Sequence, residues 1–553
     1  MHFLIPCCPA YRFRVVERHN CSANVSSSRR CSRRLARFLS FPSKTLLISF
    51  VKRPKWTFAF ARNRNSPTGG AAISMKFHST VEEIAKALHG VASVQDPVQV
   101  TGVSTDTRKI APGDLFFCLR GGSFDGHQFV EQAVLAGASA VVVDTDPIGK
   151  NEGLFVPFIR VLDTKRAYQQ LATWWRCGFG VKVVGITGSV GKTTTKEIVA
   201  SVLSELQSGA VLKTKANFNN EIGVPQTLLE LDQSHSYAVI EMGMRGLGEI
   251  AELATIALPD VGMITNCGTA HIGRLGSRAA IAQAKCELLS HLSVERGVAV
   301  LNGESEALME QAPTDWQPFS DPERTLIYGL TCGNFQGCIV GEQEIEVQGL
   351  RFSVPLPGRH NALNFLGALA VAHAFKLPWR DLSGKQIKLD MPEGRSKRYI
   401  LPNDIILLDE TYNAGPESMK AAIQLLSSMP THGRRAAVLG RMGELGAAFS
   451  SQLHMEVGGL VKSEKLDRLF VLQGNPEGCE DESGVRFGED TYALITGASP
   501  IPTHVATSIH ELVNALNKWL QPGDRVLFKA SHSVGLNAAV SSLVTIHSDL
   551  HVS

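Results

Sequence analysis

The run GITGSVGKTTTKE at 185–197 decides most of what this chain can fold into. An apolar, β-branched stretch (VKVV, 181–184) precedes it. After it, Ile198, Val199, Val202, Leu203 and Leu206 recur on one helical face. A glycine-rich loop between a strand and a helix is built to hold phosphate. Gly188 and Gly191 let the backbone N–H groups of Thr187, Ser189, Val190 and Thr194 curl around phosphate oxygens, and the helix N-terminus adds its positive dipole end. Lys192 reaches the β- and γ-phosphates of a nucleotide, and the Thr193 hydroxyl suits magnesium. The general G-x-x-x-x-G-K-[ST] spacing wants glycine where this chain has Ile186, whereas the tighter T-G-x-x-G-K-T-T fits throughout. A glycine turn with an incidental lysine accounts poorly for the strand and helix on either side.

Further strand-like runs at 139–143, 237–241, 261–265, 298–301, 405–408, 436–439, 469–472 and 525–528 alternate with helical periodicity. That alternation predicts α/β domains with largely parallel sheets. At 553 residues the chain is too long for one core. Boundaries fall near 180, ahead of the loop's strand, and near 392, at Pro392-Glu393-Gly394. The three domains expected are 75–180, 181–392 and 393–553.

The net charge of +3 conceals an asymmetry. Residues 1–74 hold 11 Arg and 3 Lys against one acid, Glu17, which leaves the remainder at −10. An acidic body excludes binding to nucleic acid by phosphate neutralisation. The Arg- and Ser-rich head reads as a disordered transit peptide, chloroplast first and mitochondrion second, with a basic disordered arm as the alternative. The apolar segment 45–51 is too short to span a bilayer. Of 11 cysteines, four lie in this head and seven run from Cys118 to Cys479 without a C-x-x-C pair, so reduced, structural thiols are expected.

Three more residues carry possible chemistry. Glu241 ends the run YAVIE, at the edge of a sheet where such folds bind ligands; it is a magnesium ligand or a solvated acid. His271, in NCGTAHIGRLGS, is by itself a structural or solvated loop histidine. Lys285 shares a helical stripe with Ile281, Leu288 and Leu289. Burial there favours a neutral, nucleophilic amine, and the alternative is a lysine whose stem covers apolar surface while its head reaches water.

The loop motif after an apolar strand resembles the Mur ligases of peptidoglycan synthesis and the related folylpolyglutamate synthases, and the likeness runs from about residue 95 onward. It implies a three-domain α/β architecture with a central P-loop ATPase domain and a C-terminal Rossmann-like domain. It makes His271 a second-magnesium ligand and turns Lys285, in A-x-A-K-x-E, into a carbamate by reaction with carbon dioxide. Within the family, several segments resemble the branch that joins D-alanyl-D-alanine to a UDP-N-acetylmuramoyl tripeptide. Asp106, Thr107 and Arg108 match its uridine-site triplet, with Thr for Ser, and Arg120 stands where Lys is common. ANFNNEIGVPQTLL (216–229) places Asn219, Asn220 and Glu221 near the muramoyl peptide. His360 and Asn361, in GRHNALN, belong near the adenosine. Arg395, Asp409 and Glu410 complete the nucleotide site, while Tyr412, Asn413, Lys529 and Ser531 face substrate.

This chain departs from the branch at Glu410 for Asp, Gly415 for Asn, Arg441 for Asp and His532 for Arg. Arg441 and His532 touch the dipeptide site rather than the ATP chemistry. The D-N-P-R signature of the sister branch is absent. The resemblance thus implies an ATP-dependent amide-bond ligase with two magnesium ions, acting on small molecules, as a monomer, in the plastid stroma. A folylpolyglutamate-synthase-like ligase and a non-catalytic plastid nucleoid scaffold are the rival readings; intact Lys192, Thr193, Glu241, His271 and Lys285 favour catalysis.

Overall fold

The computed structural model describes residues 77–549 apart from Gln95, Ser123, 146–155, Ser208 and 474–486. The basic head 1–74 and Cys479 lie outside the described residues. Besides a two-stranded antiparallel pair, Ser79–Thr80 with Gln99–Val100, three larger sheets are built from three consecutive stretches of chain. The first has five strands in the order Val91–Ala92, Phe158–Arg160, Ala140–Val143, Asp114–Phe117, Gly102–Ser104; only Val91–Ala92 runs antiparallel to its neighbour.

The central sheet has nine strands. From one edge it runs Ala210–Lys213, His235–Glu241, Lys182–Thr187, Val261–Ile264, Val298–Asn302, Thr325–Gly329, and then Phe335–Gly341. All of these pair in parallel. An antiparallel extension, Glu344–Val347 and Leu350–Ser353, closes the other edge. The third sheet orders Lys397–Leu401, Ile405–Asp409, Arg525–Lys529, Arg435–Leu439, Arg468–Leu472 and Thr503–Ala506, antiparallel only at its first pair. The nine strand-like runs read from sequence all form strands.

The parallel strands read as unbroken apolar runs because helices cover both faces. Successive side chains therefore enter different cores. Val184, Val239, Met263 and Val300 pack with Ile198, Val202 and Leu203 of the helix Lys192–Leu206 and with Phe365, Leu366 and Leu369 of Arg359–Ala374. Val183, Ile240, Ile264 and Leu301 join the opposite cluster with Ile281, Leu288 and Leu289 of Arg278–Ser290. A helix between the first and central sheets, Thr164–Cys177, serves both cores. Tyr168 packs edge-on to Phe117, while Trp175 Nε1 donates to Leu231 O (2.9 Å) and Arg176 Nε to Ala257 O (2.9 Å). No helix among the described residues is long and apolar enough to cross a membrane. Cys118, Cys267, Cys286, Cys332 and Cys338 are free thiols.

Strand order positions the site. The chain leaves Lys182–Thr187, adds two strands on one side and then crosses to Val261–Ile264 on the other. The carboxyl ends of His235–Glu241, Lys182–Thr187 and Val261–Ile264 thus lie side by side at a topological switch point, where open parallel sheets take ligands.

Candidate active site

The loop after Thr187 turns where only glycine fits. Gly188 has φ +155°, and a Cβ there would lie 1.9 Å from Thr265 Oγ1. Gly191 (φ +81°) is left-handed and caps the helix that begins at Lys192. The loop is strapped to the segment after Ile264. Val190 N donates to Asn266 Oδ1 (3.0 Å), Thr265 Oγ1 to Val190 O (2.7 Å), and Gly268 N to Ser189 Oγ (2.9 Å). Lys192 Nζ curls back over the loop and donates to Gly188 O (2.8 Å). Its outer surface is only partly covered, yet protein surrounds the amine densely enough for desolvation to lower its pKa, against the pull of Glu241. Thr194 is half-buried beside it.

Glu241 is 2% exposed. Its Oε2 accepts from Thr193 Oγ1 (2.9 Å) and its Oε1 from Asn219 Nδ2 (2.8 Å). The solvated-acid alternative is therefore gone. A buried carboxylate and a hydroxyl meet at the mouth of the phosphate loop. Among the described residues no three His, Cys, Asp or Glu side chains converge to hold a metal. This donor pair fits magnesium, which binds through one or two carboxylates and takes its remaining oxygens from water and phosphate.

His271 adopts φ +68° at the start of Ile272–Leu275. Its Nδ1 lies 2.8 Å from Glu444 Oε2, close enough for an ion pair but off line for a hydrogen bond. The imidazole beside it holds the Glu444 carboxyl below the usual range. Lys285 is 1% exposed on the helix that Ser277 caps. Burial first, and then the charge of Lys192, push its pKa down to about 7; the other groups acting on it are the Cys267 and Cys286 thiols, with no carboxylate among them. The amine does not reach out to water.

The third domain brings its residues to the same place. The Arg395 guanidinium stacks 3.8 Å over the Tyr412 ring. Its charge also acts on both Lys192 and Lys529. Lys529 is buried, its pKa lowered by desolvation, and donates to Asn413 O (3.0 Å) with Glu410 Oε2 3.8 Å away. Glu410 Oε1 accepts from Ser396 N and Oγ (3.2 and 3.0 Å), and buried Asp409 accepts from Thr411 N (3.1 Å). Ser531 Oγ accepts from Gly443 N (2.7 Å). His360 is enclosed, and desolvation lowers its pKa. Asn361 Nδ2 donates to Pro357 O (2.8 Å). Beside them a cavity of about 230 Å³ opens between the central and third domains, lined by Gly358, Arg359, Ala362, Arg398 and Leu425 among others.

The remaining residues singled out from sequence lie elsewhere. Arg108 holds Asp106 through two bonds (2.9 and 2.8 Å), which keeps that carboxyl down at about 2; Thr107 Oγ1 donates to Gln132 Oε1 (3.2 Å). Arg120 pairs with Asp144 at 2.8 Å. Asn220 Oδ1 accepts from Gly223 N (2.9 Å), and the Glu221 carbonyl accepts from Gln169 (3.2 Å). None of these is hydrogen-bonded to the phosphate-loop cluster among the described residues.

Several participants were not read from sequence. Lys196 is fully buried, donates to Thr214 O (2.7 Å) and sits 2.8 Å from Glu197 and 4.0 Å from Glu241. Its helical spacing four residues after Lys192 was the available signal. Glu417 and Glu444 gave none. Arg441 turns inward to Asp490 (2.9 Å), which also accepts from Ser450 Oγ (2.6 Å).

Three family models match consecutive stretches: the Mur ligase family catalytic domain over 99–175, the Mur ligase middle domain over 186–372, and the Mur ligase glutamate ligase domain over 394–532. The UDP-N-acetylmuramoyl-tripeptide--D-alanyl-D-alanine ligase of Synechocystis sp. is 47% identical over 461 residues, 83% of this chain and 96% of its own length. A crystal structure of MurF from Acinetobacter baumannii aligns with TM-score 0.73 at 28% identity, over 85% of this chain and 100% of that one. The MurF ligase of Thermotoga maritima in complex with ADP aligns with TM-score 0.66 at 27% identity, over 80% and 97%.

Proposed function

The chain belongs to the Mur ligase family, and from that premise we propose that it uses ATP to join D-alanyl-D-alanine to a UDP-N-acetylmuramoyl tripeptide. The tripeptide's terminal carboxylate attacks the γ-phosphate, giving an acyl phosphate and ADP. The amine of the dipeptide then attacks the acyl carbon, the C–O bond to phosphate breaks, and the amine proton leaves to a base or water. The observation that carries this reading is the meeting of Lys192, Thr193 and Glu241 at the phosphate loop, faced by Arg395, Glu410 and Lys529 of the third domain.

Thr193 and Glu241 would hold one magnesium ion, and His271 with a carbamate on Lys285 a second; bound metal neutralises charge on the transferring phosphoryl group. The rest falls to the protein. The loop's N–H groups and Lys192 orient the phosphates. Arg395, Asp409, Glu410, His360 and Asn361 bind the nucleoside end, with the neighbouring cavity open beside it. Asn219 fixes Glu241 at the substrate side, while Asn220, Glu221, Tyr412, Asn413, Lys529 and Ser531 approach the peptides. Burial leaves about half of the Lys285 amine neutral near pH 7, the form that combines with carbon dioxide.

The division of labour follows the sheets. Residues 75–180, with Asp106, Thr107 and Arg108, take the uridine end; 181–392 take ATP; 393–553 close over the acyl phosphate and exclude water. The chain works as a monomer, and its head, 1–74, directs it to the plastid stroma; the support is a +13 charge confined to a segment without family motifs. The test is phosphate release by residues 75–553 given ATP, magnesium, the UDP-muramoyl tripeptide and D-alanyl-D-alanine. Release at the level of a folded Lys192→Ala control would reject the enzyme and favour a scaffold.

A further inference from the structure

The segment Gly268–Gly273 carries His271, and its start is tied to the phosphate loop through Gly268 N and Ser189 Oγ (2.9 Å). The third domain grips it at both ends. Glu417, in the first turn of the helix Pro416–Ser428, reaches across the domain boundary. Its Oε1 accepts from Thr269 N–H at 2.7 Å, and the Thr269 hydroxyl lies 3.0 and 3.1 Å from its two oxygens. The carboxylate sits so close that a Cβ on Gly268 would be 2.5 Å from it. At the far end Gly273 N donates to Glu444 O (3.4 Å), and a Cβ on Gly273 would meet Gly446 N at 2.6 Å.

A carboxylate is suited to a contact that must form and release. It makes charge-assisted bonds to an N–H and a hydroxyl when docked, and water solvates it well when undocked. Glu417 lies 148 residues from Thr269, so the contact exists only while the two domains are docked. The segment it holds carries His271, which lies 2.8 Å from Glu444, a carboxylate whose charge also acts on Lys192 of the phosphate loop.

We propose that Glu417 is a positioning residue, a latch whose bonds to Thr269 couple docking of the third domain to the placement of His271 at the phosphate loop. The inference rests on the ligase reading for its meaning in turnover, but its geometry stands without it.

The full chain should be compared with Glu417→Ala, Glu417→Gln and Thr269→Val. Three quantities are read: affinity for a fluorescent ATP analogue, the fall in radius of gyration by small-angle scattering when ATP and UDP-muramoyl tripeptide are added, and steady-state rates. Glu417→Ala should bind nucleotide within about twofold of wild type, lose the ligand-induced compaction, and lose about tenfold or more in kcat. Glu417→Gln, which keeps one acceptor oxygen and the side-chain shape, should fall between; it carries the test if the alanine variant does not fold. Thr269→Val added to Glu417→Ala should cost no more than the alanine change alone. Compaction and turnover like wild type in Glu417→Ala, or equal losses of nucleotide affinity and turnover, overturn the proposal. If wild type compacts and the variant does not, yet neither turns over, the latch stands and the ligase reading falls.

Discussion

Replacing Lys285 by methionine should separate two quantities that usually fall together. The amine is 1% exposed, and burial with the nearby Lys192 charge lowers its pKa to about 7. At about pH 7.5 roughly three-quarters of it is then neutral, against about one part in a thousand for an unshifted lysine. The folded value lies below the unfolded one, so between about pH 7 and 10.5 the unfolded chain binds the extra proton and stability rises with pH. Below about pH 7 the folded state carries the full cost, on the order of 5 kcal/mol at most from a shift of this size. Lys285→Met keeps most of the stem and removes the charge. Its urea midpoint should rise, most of all below pH 7, and the slope of stability between pH 7 and 10 should flatten. On the proposed carbamate, turnover should nevertheless collapse, because a metal position would lose its oxygen ligand and His271 would not hold it alone. Wild-type activity should fall on rigorous degassing and return with bicarbonate. ¹³C-labelled carbon dioxide should give a carbamate resonance absent from the variant. Formate or acetate should partly restore Lys285→Ala by supplying an oxygen ligand in the vacated space. A Lys285→Met protein with full activity and no response to carbon dioxide would refute the reasoning, while leaving the phosphate loop's role standing.

Lys192→Ala and Glu241→Ala should each cost about 10² or more in rate with the fold intact by circular dichroism, since each removes a charge partner of the transferring phosphoryl group; near-normal rates would misplace the site. Asp490 is 1% exposed and accepts from Arg441 Nε and Ser450 Oγ, so Asp490→Ala should destabilise by about 1.5–3 kcal/mol in urea melts, whereas pairing it with Arg441→Met should recover part of the loss. Equal losses in the single and double variants would show that the ion pair is not the cause. A fluorescent protein fused behind residues 1–80 should enter plastids, and a diffuse cytosolic signal would argue against the transit reading.

The features legible from sequence were those that local pattern encodes. Central strands such as Lys182–Thr187 and Val261–Ile264 are buried on both faces, so each announces itself as an apolar run. Lys285 declared its burial by helical spacing from Ile281 and Leu289. The hairpin strand Glu344–Val347, one strand in from the sheet edge, alternates half-buried glutamates with buried Ile345 and Val347, a pattern too short and polar to stand out. The contacts between domains left no local trace. Glu417 is an ordinary first-turn acid until Thr269 meets it, and Glu444 an ordinary loop acid until His271 lies 2.8 Å away. Arg441 read as a departure at the dipeptide site; only the fold shows it paired with Asp490, in a helix that begins nearly fifty residues on.

Each of the three large sheets closes on strands from its own stretch of chain: 91–160, 182–353 and 397–529. A chain delivered N-terminus first, from a ribosome or through a membrane pore, can therefore finish one of these sheets before the next emerges; within the third sheet, though, Ile405–Asp409 and Arg435–Leu439 wait for Arg525–Lys529. The phosphate loop, Glu241 and Lys285 are all in hand once the central sheet is complete, while Arg395, Glu417 and Lys529 are still to come. On the proposed reading, nascent chain of that length would own the phosphate-binding half of the nucleotide site but neither the nucleoside contacts of Arg395, Asp409 and Glu410 nor the cover that shields an acyl phosphate from water. Arrival of the last domain would then be a checkpoint in manufacture: the parts that grip phosphate precede the parts that complete the site, and a chain cut short after the central sheet would hold only the first.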